Sequence, residues 1–129
     1  MTKSTNIQHQ VQPMTVEAAS NYASRLLDME QRGSSDTEGA LYRLEQRYGL
    51  SPNQITHLRS RRAKSCDVSL FARLRAAYLD LCERQVSKLQ HEIAIEKASG
   101  DDTLEDLEGE ARALASKIAA KKAALKATV

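Results

Sequence analysis

Residues 40–62, ALYRLEQRYGLSPNQITHLRSRR, decide how the chain is read. Ala40, Leu41, Leu44 and Tyr48 recur at the spacing of a helix with one apolar face. Gly49 ends that helix, because glycine enters the left-handed conformation without a Cβ clash. Ser51-Pro52-Asn53-Gln54 opens another at once. Ser51 is a good N-cap, Pro52 suits the first helical position, and Gln54 completes a capping box. The second helix, taken as residues 52–62, offers only Ile55 and Leu58 to a core. Its other residues, Asn53, Thr56, His57, Arg59, Ser60, Arg61 and Arg62, are polar or basic. Leu44, Leu50, Ile55 and Leu58 are spaced to close a small core across the corner. Such a corner sets two helices at a large angle and pushes the second outward.

On the N-terminal side, Thr15 is placed to cap a helix with Glu17 in its first turn, where the helix dipole favours an anion. Val16, Ala19, Ala23, Leu26 and Leu27 form its apolar stripe, and Gly33 is the expected terminator. Ser35-Asp36-Thr37-Glu38 has the form of a capping box for the helix that carries Leu44. On the C-terminal side, Lys64-Ser65-Cys66-Asp67 reads as a turn, with Ser65 or Asp67 capping a long helix over about 68–98. That helix carries Phe71, Leu74, Tyr78, Leu81, Cys82, Val86, Leu89 and Ile93. At 1.5 Å per residue it extends roughly 45 Å, too far for a small head to bury alone. Residues 99–102 break it, and Asp102 or Thr103 starts a last helix. There Leu104, Leu107, Ala111, Leu114, Ile118 and Leu125 alternate three- and four-residue steps, as in a coiled-coil seam interrupted only by Lys121.

The expected architecture is therefore all-α. A polar disordered tail occupies 1–14, a helical head 15–75, and an antiparallel helical hairpin 76–129. Composition agrees. Five Gly and two Pro in 129 residues are too few for a many-turned β fold. Aromatic residues make up 4%, so the core must come from aliphatic side chains. No apolar run reaches the roughly 18 residues of a membrane span, and the first residues lack a signal-peptide centre, which points to the cytoplasm. Cys66 and Cys82 form no CxxC pair, and His9, His57 and His91 lie far apart. Two reduced thiols and no metal set are expected. Gly-rich phosphate loops, HExxH and GxSxG are absent, so neither an enzyme nor a cofactor is expected.

Charge is strongly segregated. Residues 41–75 carry eight bases and two acids, residues 76–111 three bases and ten acids, and residues 112–129 five bases and no acid. A basic block neutralises phosphates and releases condensed counterions, so the 41–75 segment points to nucleic acid.

Through Leu44, Gly49, Leu50, Ser51, Ile55 and Leu58, residues 36–64 resemble the helix-turn-helix DNA-binding regulators of bacteria and phages. The chain as a whole is similar to short uncharacterised proteins of proteobacterial phages and integrated elements, which assigns no activity. One departure stands out: Glu45 occupies the position, four before the turn glycine, where the family usually has a small residue. The resemblance implies double-stranded DNA as partner and residues 52–62 as the recognition helix. Asn53, Thr56, His57, Ser60 and Arg61 would face bases, with Asn53 suited to adenine and Arg61 to guanine. Arg43, Arg47, Arg59, Arg62 and Lys64 would contact phosphate.

A homodimer is expected through the seam of Val86, Leu89, Ile93, Leu104, Leu107, Leu114 and Ile118, with half-sites about 34 Å apart. Folding the hairpin back is expected to gather acids at its tip and to return Lys117, Lys121, Lys122 and Lys126 toward Arg73, Arg75 and Arg84. The competing expectation is a non-enzymatic interaction module, a small inhibitor or adaptor. It would bind a protein partner through the acidic tip or the coiled-coil face.

Overall fold

The computed structural model describes residues 15–127. The tail expected at 1–14 lies outside them. Every regular element among the described residues is helical: α1 (Val16–Glu30), α2 (Thr37–Tyr48), α3 (Pro52–Arg59), α4 (Val68–Ala98) and α5 (Glu105–Ala127), with a 3₁₀ turn at Asp102–Leu104. None of these helices is long and apolar enough to cross a membrane. The chain divides into two compact units, the first ending at Ala77 and the second beginning at Tyr78. Helix α4 supplies its first turns to one and its remainder to the other.

In the first unit, Thr15 caps α1 as expected, its hydroxyl accepting from the Ala18 N–H at 3.0 Å. Helix α1 closes at Glu30, with Gln31 in an extended conformation as its cap, so Gly33 lies beyond the helix end. The buried face of α1 holds Ala18, Ala19, Ala23, Leu26 and Leu27. Its three alanines allow a partner helix to come close, since helix spacing follows side-chain size at the contact. That partner is α3, which packs more extensively on α1 than on α2. Leu50, Ile55 and Leu58 are buried with Ala40 and Leu44 of α2 and with Phe71, Leu74 and Ala77 of α4. Tyr22 and Phe71 meet edge to face, ring centres 5.8 Å apart. Each large aliphatic side chain buried here contributes about 1.5–3 kcal/mol.

The capping box expected at Ser35–Glu38 does not form. Asp36 is the N-cap of α2, and its side chain makes no capping bond. Its carboxylate instead accepts the Arg32 N–H at 3.0 Å and an Arg43 guanidinium N–H at 2.5 Å. Gly39 leaves the space this needs, because a Cβ there would run into the Asp36 carboxylate. Arg43 also donates to the Glu30 carboxylate at 2.7 Å and to the Glu30 carbonyl at 2.9 Å. One guanidinium thus ties the end of α1 to the start and middle of α2.

The corner between α2 and α3 follows the sequence closely. Gly49 is left-handed, with φ of 69°, and its N–H reaches the Glu45 carbonyl at 2.9 Å. Ser51 and Gln54 form the reciprocal capping box. The Glu45 side chain is exposed, so it does not pack into the corner.

In the second unit, α4 and α5 are linked by cross-helix ion pairs. Lys97 meets Glu108 at 2.9 Å, and Lys122 meets Glu83 at 2.7 Å and Asp80 at 3.2 Å. Glu83 lies fourteen residues before Lys97, and Lys122 fourteen after Glu108. The two helices therefore run antiparallel in a constant register. Leu81, Val86, Ile93, Ala111 and Ile118 are buried. Of the other expected seam residues, Leu104 is half-buried while Leu89, Leu107 and Leu114 are exposed. Lys122 returns beside Arg84 as expected, but the like charges do not gather alone, because Lys122 docks on Asp80 and Glu83. Arg84 donates to that same Asp80 at 2.9 Å. Opposite charges pair along this side of the hairpin because Lys97 and Lys122 each reach carboxylates across the seam.

Two outcomes are expected of the first unit. Open space surrounds the Gly49 α-carbon, so Gly49→Ala adds only backbone strain. Chemical denaturation of that variant should show a loss of about 1 kcal/mol. The second concerns acid. Hydrogen bonding from Arg43, then from the Arg32 N–H, holds the Asp36 carboxyl below its ordinary value. A depressed folded-state value stabilises the fold above the ordinary carboxylate range, and the effect is lost as pH falls through the folded value. Thermal midpoints should therefore drop below about pH 4. The drop should be shallower in Asp36→Asn, which starts from a lower midpoint at neutral pH.

Candidate nucleic-acid interface

Helix α3 is eight residues long and buries two of them, Ile55 and Leu58. At 100° per residue, Asn53, Thr56, His57 and Ser60 fall together on the side opposite that pair. All four are exposed. The capping box and Pro52 fix where the helix starts, and Leu50 beneath the corner fixes how deeply it sits. Its polar face is thus the face left over once the apolar pair is buried.

Helix α3 ends earlier than its expected bound of residue 62. It closes at Arg59, with Ser60 as cap. The Arg61 N–H bonds to the Leu58 carbonyl at 3.0 Å and the Arg62 N–H to the His57 carbonyl at 3.3 Å. This is the Schellman arrangement, and its pivot is normally a glycine in the left-handed region. Here the pivot is Arg61, at φ of 62°, the one described non-glycine residue with positive φ. Sequence periodicity continued the helix because arginine gives no termination signal.

The cations divide into two groups. Arg43 is committed to Glu30 and Asp36, which gives it an intramolecular task in place of the phosphate contact expected for it. Arg47 lies 3.2 Å from the other oxygen of the buried Glu30 carboxylate. Arg59, Arg61, Arg62 and Lys64 are exposed. Arg59 stands 3.9 Å from Asp28, a separation at which an exposed pair holds weakly. Arg61 donates to Asn21 Oδ1 at 3.2 Å, and Arg62 Nε to Ser60 Oγ at 3.0 Å. The Ser60 hydroxyl in turn donates to the His57 carbonyl.

Three residues outside the motif shape this surface. Asn21 and Asp28 of α1 bring an acceptor beside Arg61 and an anion beside Arg59. Arg73 of α4 donates to the Gly49 carbonyl at 3.1 Å and steadies the corner. All three act across long sequence separations, so no local pattern announces them. With Thr56, Arg59 and Ser60, Ser24, Leu27, Asp28 and Thr37 line a shallow open depression along one flank of α3.

Both cysteines are free. Burial, then the neighbouring Asp67 carboxylate, pushes the Cys66 thiol above its ordinary value, which disfavours the reactive thiolate. Among the described residues no group of three or more His, Cys, Asp or Glu side chains is placed to hold a metal. Comparison with protein-family models, curated proteins and solved structures finds no match to this chain.

Arg61 yields a direct test of the strained turn. Arg61→Gly and Arg61→Ala both remove the side chain and its bond to Asn21, but only glycine relieves the left-handed backbone. Denaturation should find the glycine variant more stable than the alanine variant by about 1 kcal/mol. Equal stabilities would show that residue 61 is not held left-handed.

Proposed function

We propose that the protein is a sequence-specific double-stranded DNA-binding regulator of transcription, with α3 as the helix that enters the major groove. The observation that carries this reading is the contiguous exposed face of Asn53, Thr56, His57 and Ser60, opposite Ile55 and Leu58. Amide, hydroxyl and imidazole groups are the kinds that read base edges. Exposed Arg59, Arg62 and Lys64 cluster at the C-terminal end of that face, around the base-facing Arg61. They supply the sequence-independent grip on phosphate that positions a reading helix.

Strain at Arg61 supports the same reading. A left-handed arginine costs stability that glycine would spare, so the position favours its side chain over the easiest turn. Arg43 has no part in the proposed contacts. Arg47 contributes only if it leaves Glu30. No cofactor and no catalytic step enter the proposal.

Selection of bound fragments from random duplex DNA, followed by mobility-shift titration at several salt concentrations, tests it. A defined sequence should be enriched. Three phosphate-gripping cations, Arg59, Arg62 and Lys64, predict a slope of log K against log salt of about −2 to −3 per protomer. Arg62→Ala and Lys64→Ala should each reduce that slope by about one while leaving the preferred sequence intact. Asn53→Ala should instead relax preference at one base pair by about 1–3 kcal/mol. If no sequence is enriched and the Arg62 and Lys64 variants titrate like the parent, the assignment of α3 fails.

A further inference from the structure

Three leucines of the second unit stay partly outside its core. Leu89 of α4 is 39% exposed, and Leu107 and Leu114 of α5 are 41% and 47% exposed. Each sits one helical step to the side of the buried row. Leu89 lies three residues after Val86 and four before Ile93, while Leu107 and Leu114 bracket Ala111 in the same way. The cross-helix ion pairs occupy the other side. Lys97 follows Ile93 by four residues, and Lys122 follows Ile118 by four. Because α4 and α5 run antiparallel, corresponding steps on the two helices turn toward the same side of the hairpin. The leucines therefore share one face and the ion pairs the other.

Charge on the leucine face is divided along its length. Glu92, Glu96 and Glu110 lie toward the turn between α4 and α5, and Lys117 and Lys121 lie toward the opposite end. Each stands three or seven residues from a leucine of the face and so projects on that side. Lys88, also at the basic end, lies at the rim. All six are exposed, and none forms an ion pair among the described residues. The hairpin thus satisfies its inner charges and leaves this set unneutralised beside exposed leucine.

We propose that this face pairs with the same face of a second copy of the chain, the two hairpins running antiparallel about a two-fold axis that crosses them at the level of Leu89 and Leu114. In the register set by the ion pairs, these two leucines lie within about one helical turn of the same level. The two-fold then lays α4 against α4 and α5 against α5. Leu89 meets Leu89 of the second copy, and Leu114 meets Leu114. Glu110 stands about 7 Å to one side of the axis and Lys121 about 9 Å to the other, so the rotation brings Glu110 against Lys121 of the second copy. Glu92 meets Lys88 in the same way. A parallel pairing would instead set Glu96 beside Glu110 of the second copy. Charge therefore selects the antiparallel arrangement, since like charges across an interface cost several kcal/mol. The pairing makes no use of α3, so it stands or falls separately from DNA recognition.

Charge exchange tests it on the full chain. Lys117→Glu with Lys121→Glu makes the face acidic apart from Lys88 at its rim, and Glu92→Lys with Glu110→Lys removes most of its acid. Circular dichroism first establishes that both variants keep the parent helix content. In sedimentation equilibrium at low salt, the parent should rise with concentration from 14.3 kDa toward twice that mass. Each variant alone should dimerise at least about tenfold more weakly, and an equimolar mixture of the two should recover dimer. A parent that stays at 14.3 kDa at every concentration overturns the proposal. So do variants that dimerise as well as the parent, or a mixture that remains monomeric.

Discussion

The left-handed bend at Gly49, with Leu50 sunk fully into the core behind it, governs the first unit. The bend redirects the chain in one residue, and the buried leucine anchors the redirected segment before α3 begins. Ser51 and Gln54 then satisfy the N–H groups at the new start, so α3 forms at once and at a set depth. Arg73 grips the Gly49 carbonyl from α4, which binds the corner to a third element. With the start, depth and apolar pair of α3 all specified, its outward face is determined without any interaction of its own.

A second constraint holds the frame around that corner. Glu30 is buried at the end of α1 and is neutralised by Arg43 and Arg47, two arginines one turn apart on α2. A buried carboxylate without a cation is costly, so these arginines serve folding before any partner arrives. Their place in a basic segment concealed this. Net charge by block counts Arg43 with Arg62, although one closes an internal ion cluster and the other lies open to solvent. Charge tallies register sign and neighbourhood in sequence, but the acid that answers Arg43 sits thirteen residues away on another helix.

Much of the fold could be read from short-range chemistry. Thr15, Gly49, Ser51 with Gln54, and Asp67 act where their local pattern places them, because caps and turns are decided within a few residues. The bounds of α4 follow for the same reason. Three features were not legible. The Ser35–Glu38 capping box gave way to an Asp36 N-cap whose carboxylate turns to Arg43, Arg61 took a turn position that glycine normally holds, and Lys122 found acids around forty residues back. In each case a tertiary partner or backbone demand overrode a local preference. The candidate surface was legible in its composition, since burial of Ile55 and Leu58 leaves only one way for the rest of α3 to face. Its end was not.

The odd pivot at residue 61 also makes that position a historical record. Drift under selection for folding alone runs downhill toward glycine or asparagine, which tolerate a left-handed backbone. An arginine there gives up that ease and receives within the fold a bond from its side chain to Asn21 on α1. In descendants of this chain, a glycine at residue 61 would therefore ease the turn and give up that tie to α1, even where every cap and core leucine stayed the same.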